Sequence, residues 1–118
     1  METMTQENAK LIAQELGSRL SYGVKIRVND KIETVEGINI LDNIVEFGTY
    51  MACDIDEVKP YLFPLSNMTW EQRCQYREII ASSLNHYEVY DWLNKNHFDY
   101  RGLIEKGLAL DATGLNIY

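Results

Sequence analysis

Val58-Lys59-Pro60-Tyr61-Leu62-Phe63-Pro64-Leu65-Ser66-Asn67-Met68-Thr69 is the stretch on which the fold turns. It is apolar and aromatic, and it holds both prolines of the chain. Proline has no N–H to give a strand ladder and pushes the residue before it into extended geometry, so the stretch reads as extended, partly buried and poor at strand pairing. Upstream of it the sequence alternates like short strands; downstream it repeats like helices. The expectation is an α+β domain with an N-terminal helix over 1–19, an antiparallel sheet over 20–65 and a helical half over 66–118.

Working outward on the upstream side, Tyr22, Val24, Ile26 and Val28 share one face of a half-buried strand, and Asn29-Asp30 turns the chain back into Lys31 to Glu36. Gly37 marks a bulge before Ile38 to Leu41. Asp42-Asn43 turns again, Ile44 to Phe47 forms a third strand, and Thr49 to Cys53 a fourth. These four make an antiparallel β-meander. The sheet either stays open or, with Tyr61-Leu62-Phe63 as a fifth strand, curls into a small SH3-like barrel. Before the sheet, Thr3 and Gln6 read as a capping box, Ile12 and Leu16 as a narrow apolar stripe, and Gly17 as the helix stop. That stripe places the helix on the sheet rather than through the core.

Downstream, Thr69-Trp70-Glu71-Gln72 carries a cap and its reciprocal partner, opening a helix with Tyr76, Ile79, Ile80 and Leu84 on one stripe. Asn85 reads as a fresh cap for a second helix that ends near Asn96. Asp99 reads as the cap of a short third helix carrying Leu103 and Ile104 and stopping at Gly107. Asp111 to Tyr118 lack periodicity and read as loose.

The 118 residues are 46% hydrophobic and 25% charged, the balance of a globular domain able to build a core without staples. No apolar run is long enough to cross a membrane, and the polar, acidic start lacks the pattern of a signal peptide. The expectation is a cytosolic location, where Cys53 and Cys74 read as two small buried hydrophobes rather than a disulfide. The net charge is −7. Residues 1–58 hold 11 acids and 5 bases; residues 59–118 hold 7 acids and 6 bases. Direct nucleic-acid binding needs a basic footprint that this balance does not provide. The acidic half fits solubility, a basic protein partner, or mimicry of a nucleic-acid backbone.

Asp54-Ile55-Asp56-Glu57 is the densest carboxylate run, but it lacks the glycine and further oxygen ligands of a calcium loop and reads as a solvated helical turn. No metal, cofactor or nucleophile motif is present. The richest constellation is Trp92, His97, Phe98, Asp99, Tyr100 and Arg101, the candidate binding residues. His97 with Asp99 has the makings of an acid/base pair, and Arg101 of an anion clamp. The plainer reading has Phe98 and Tyr100 anchoring a helix corner, Asp99 capping and Arg101 pairing locally.

Three blocks, Tyr22-Gly23-Val24-Lys25, Asp54 to Thr69, and Asp91 to Ile104, resemble a family of small uncharacterised proteins common in phages and prophages of Bacteroides-type bacteria. The resemblance covers most of the chain beyond residue 20. Phe63 stands where the family has a basic residue, which removes a charge from the seam. The resemblance implies an origin, and with it the cytoplasm of a bacterial host, and carries over no activity and no site residue. Three readings of function follow. The first is a non-enzymatic phage or prophage accessory protein that binds another protein. The second is an acidic inhibitor that mimics nucleic acid. The third is a small ligand-binding protein or enzyme built on His97, Asp99 and Arg101. The oligomeric state stays open.

Overall fold

The computed structural model describes residues 5–48, 50–82 and 86–118. Helix α1 spans Gln6–Arg19, capped by Thr5, whose hydroxyl accepts the Asn8 N–H at 3.1 Å. The cap thus falls two residues later than expected; Thr3 lies outside the described residues. Gly17 is an exposed residue inside the helix rather than its stop. The chain leaves the helix through a 3-10 turn, Leu20–Tyr22, and reverses at Gly23, whose φ of 69° is the left-handed geometry that favours glycine. Ile12 and Leu16 are fully buried against the sheet.

Strands β1 (Lys25–Val28) and β2 (Lys31–Asn39) form a hairpin whose two turn residues, Asn29 and Asp30, both have positive φ. That is the twist-matched two-residue turn. The register of β2 against β3 (Ile44–Phe47) shifts between Val35 and Gly37, so the bulge lies where the glycine marks it. Strand β4 (Met51–Asp54) follows β3 in antiparallel register; its expected first residue, Thr49, lies outside the described residues. The acidic run beyond β4 is a 3-10 turn, Ile55–Glu57, closed by a capping box in which the Asp54 N–H donates to Glu57 at 3.2 Å.

The seam differs most from expectation. Lys59–Leu62 is strand β5, and it is paired on both sides. Lys59 and Pro60 face β1; Tyr61 and Leu62 face a short parallel strand β6, Leu110–Asp111. Pro60 sits where only one flank is paired, which is where a missing N–H leaves no gap. The strand order is β4-β3-β2-β1-β5-β6, with β4 and β6 as edges. The SH3-like barrel therefore does not close: the free flank of β5 is taken by β6, and Phe63 bridges Phe98, so no flank is left for β4.

Helix α2 (Trp70–Ser82) begins at the Thr69–Gln72 capping box, with reciprocal bonds of 3.1 and 2.9 Å. Leu84 and Asn85 lie outside the described residues. Helix α3 (Tyr87–Lys95) ends at Asn96. No third helix forms from Asp99. Gly102, at φ 73°, breaks the helical path at its start, and residues 103–107 make turns instead. The final residues are not loose. The Ala112 N–H donates to the Leu62 carbonyl at 2.8 Å, and the Tyr118 side chain returns to the seam. One core cluster joins α1, the sheet, and Leu103, Leu108 and Ala109. No helix is long and apolar enough, among the described residues, to cross a membrane.

Candidate functional site

The candidate residues sit where the seam meets the end of α3. Phe63 donates its N–H to the His97 carbonyl and accepts the Asp99 N–H, both at 2.8 Å, so 97–99 runs beside the seam like one more pairing segment. This brings six rings into a ladder. Tyr76 stacks on Trp92, Trp92 on Phe98, and both of these contacts span 5.8 Å between centroids. Phe98 meets Phe63, Phe63 meets Tyr118 edge-on, and Tyr118 lies 3.6 Å from the His97 ring. Large rings in offset or edge contact each add to burial by about 0.5–1.5 kcal/mol. The ladder ties α2 and α3 to the sheet.

His97 takes a left-handed backbone, φ 61°, with its N–H donated to the Asn94 carbonyl at 3.1 Å. Its ring is buried, and Nδ1 has no hydrogen-bond partner among the described residues. Burial, then the positive charges of Arg19 and Lys25, holds its pKa down at about 4, so the imidazole is neutral at pH 7. Asp99 does not meet it. The two Asp99 carboxylate oxygens accept the Leu103 and Ile104 N–H groups, each at 2.9 Å. Arg101 looks a third way, donating to Glu15 at 2.7 Å and to Ser18 Oγ at 3.2 Å with its guanidinium 4.6 Å above the Tyr100 ring. The three polar members of the cluster are thus close in sequence and separate in their partners. The plainer reading therefore needs two corrections: Asp99 holds the N–H groups of a turn rather than of a third helix, and Arg101 pairs with Glu15 on α1 rather than locally.

The charged centre of this region is one the sequence reading passed over. Glu15 and Arg19 are both fully buried and form an ion pair one helical turn apart. Arg19 also donates to the Phe98 carbonyl, and its guanidinium lies 5.4 Å from the centre of the Tyr100 ring. Burial lowers the Arg19 pKa, opposed by Glu15. A signal for this pair was available. Positions 12, 15, 16 and 19 share one helical face, so Glu15 and Arg19 stand on the same stripe as Ile12 and Leu16. Tyr118 was also missed. Its hydroxyl accepts the Lys25 N–H at 2.8 Å and donates to the Tyr61 carbonyl at 2.7 Å, stitching β1 to β5. Burial pushes the phenol up to about 12. The ring is inserted although the residue as a whole is 39% exposed.

The open surface lies on the other side of the ladder. No residue of α2 is buried. Trp70 is 74% exposed, and Ile80, Tyr87 and Tyr90 are at least half exposed. A groove of about 490 Å³ runs between α2 and α3 over Tyr76, Ile80, Val89 and Tyr90. A second, of about 550 Å³, continues from Tyr90 and Tyr100 to Tyr87, Asn94 and Arg101. At the far end of the sheet, Glu36 and Glu46 line a concavity of about 560 Å³ with Tyr50 and Met51. Both cysteines are free; burial, with Glu57, Asp54 and Asp56 nearby, pushes the Cys53 thiol up to about 11 and makes it a poor nucleophile. Among the described residues no group of three or more His, Cys, Asp or Glu side chains converges to hold a metal. No family model, curated protein or solved structure matches the chain.

Proposed function

We propose that this chain is a non-enzymatic phage or prophage accessory protein that works by binding another protein through the face built by α2 and α3. One observation carries this reading: α2 is a 13-residue helix with no buried residue, yet it holds Trp70 in solvent and presents Ile80 beside Tyr90 of α3. A helix kept only for stability turns an apolar stripe into the core. Ile80 and Tyr90 line the groove between the two helices, and exposed Trp and Tyr are residue types that dominate binding energy at interfaces. The resemblance of the seam and the Asp91–Ile104 block to phage proteins supports the origin. The test compares capture of host proteins by the wild type and by a Trp70→Ala, Ile80→Glu variant. A protein held by the first and lost by the second is expected. Equal capture by both chains would remove this face from the account.

The acidic-mimic reading is favoured by a separate observation. Glu36, Glu46, Asp54, Asp56 and Glu57 are all exposed around the β3–β4 end of the sheet, while Arg27, Lys31 and Lys59 lie on the β1, β2 and β5 side. Carboxylates gathered at one end suit a basic partner. Such a complex weakens steeply as salt rises from about 0.05 to 0.5 M. A salt-independent affinity would sink it.

A further inference from the structure

The turn between β2 and β3 holds two aliphatic side chains in water. Ile40 is 67% exposed and Leu41 95%. The turn is braced rather than slack. Asn39 Oδ1 accepts the Asp42 N–H and Asn39 Nδ2 donates to the Asp42 carboxylate, both at 3.1 Å. Asn43 holds a left-handed φ of 53°, and its carbonyl accepts the Ile55 N–H at 2.8 Å. Leu41 is therefore a fixed knob. Immediately beside it is a hole, a groove of about 460 Å³ walled by Gln6, Lys10, Ala13 and Gln14 of α1 and by Ile40 and Asn43 of the turn.

We propose that this surface binds a second copy of the chain, each copy placing its Leu41 in the groove of the other. A patch that carries a knob and a hole side by side is self-complementary about a two-fold axis passing between them. Charge selects the occupant. Among the described residues, the one charged residue lining the groove is Lys10, and the one charged residue of the Ile40–Asn43 turn is Asp42. The exchange brings Asp42 of each copy to Lys10 of the other. Two opposite-sign contacts thus form at the place where two chains of net charge −7 meet. A basic ligand would meet Lys10, and a purely acidic one would meet Asp42 beside Leu41. A contact made by one turn and one groove belongs at the low end of specific interfaces, on the order of 1,000 Å² in all, and such contacts give weak, concentration-dependent dimers. This face is distinct from the α2–α3 face, so the two proposals stand or fall separately.

Sedimentation equilibrium over a wide range of protein concentration tests the pairing, with circular dichroism confirming that each variant is folded. The wild type should pass from monomer to dimer as concentration rises, and Leu41→Asp, at a side chain that supports nothing, should stay monomeric. Lys10→Glu and Asp42→Lys should each weaken self-association at least tenfold. Mixed together they should form a heterodimer, because the first carries acids at both contact positions and the second carries bases at both. Trp70→Ala should leave the dimer unchanged. A wild type that stays monomeric up to about 1 mM, a Leu41→Asp chain that dimerises as well as the wild type, or a mixture that fails to associate would each overturn the proposal.

Discussion

Lowering the pH from 7 to 4.5 should destabilise this fold through one side chain, His97. Its ring lies against Tyr118, Nδ1 is buried without a partner among the described residues, and Arg19 and Lys25 add positive potential. Folding therefore lowers its pKa from 6.5 to about 4. The native state then binds fewer protons than the unfolded chain across that window. The stability associated with neutral His97 is fully present above pH 6.5 and is lost as pH falls towards 4. The whole shift corresponds to about 3 kcal/mol, and since pH 4.5 is still above the folded-state value, about 2 kcal/mol of it is lost at that pH after a discount for solvent screening. The assay is urea unfolding followed by the fluorescence of Trp92 and Trp70 at intervals between pH 7 and 4.5. The comparison chain is His97→Asn, since asparagine tolerates the left-handed backbone there. That variant loses the ring contact and starts less stable, but its curve should be flatter by about 2 kcal/mol across the window. Other acid-sensitive contacts are common to both chains and cancel in the difference. Parallel curves, or an imidazole proton that titrates near 6.5 in the folded protein, would refute the reasoning.

Three further outcomes follow from particular contacts. Glu15→Gln leaves Arg19 buried without its counter-charge and Arg101 without its carboxylate, and should cost about 3–5 kcal/mol in a denaturant titration. Tyr118→Phe keeps the ring ladder but orphans the Lys25 N–H and the Tyr61 carbonyl; a loss of about 1–3 kcal/mol is expected, with faster hydrogen exchange at the Lys25 amide. Trp70→Ala should change stability by no more than about 0.5 kcal/mol, because the side chain is largely in solvent, while reducing partner capture; a large drop in thermal midpoint would show that the indole is structural.

What the sequence makes legible here is local. The Asn29-Asp30 turn, the Gly37 bulge and the Thr69–Gln72 capping box are settled by residues within a few positions of one another, and each lies where the pattern puts it. The ends of elements are less legible when a glycine has two uses. Gly17 continues a helix whose Arg19 is held inside by Glu15, so the stop moves on to Gly23. Asp99 caps as its type predicts, but Gly102 turns the backbone out of the helical region before a helix can follow. Contacts between distant segments left no periodic trace. Leu110–Asp111 is too short to alternate visibly, and Tyr118 reaches Lys25 and Tyr61 from the far end of the chain. For the candidate site, the aromatic members were legible as anchors. That Arg101 pairs with Glu15 and that the His97 ring lies on Tyr118 was not, because both partners belong to other segments.

The two-sided pairing of the seam accounts for the surface left over. Lys59 and Pro60 close the sheet against β1, and Tyr61, Leu62 and Phe63 turn their other flank to β6 and Phe98. The C-terminal turns then supply Leu103, Leu108 and Ala109 to the core beside α1. With those positions filled, no core surface remains for α2. It is held through Tyr76 on Trp92, at the outer end of a ring ladder, and not by burial of its own stripe. Had β5 paired with β4 instead, the sheet would have closed, and the core would lack the wall that β6 and the C-terminal turns provide. The open sheet and the outlying helix are therefore one feature seen from two sides. A substitution that loosens the β5–β6 pairing, such as Leu62→Ala, should cost about 2–5 kcal/mol, since this side chain is fully buried at the point where the two meet. Substitutions along the outer face of α2 should leave that core intact.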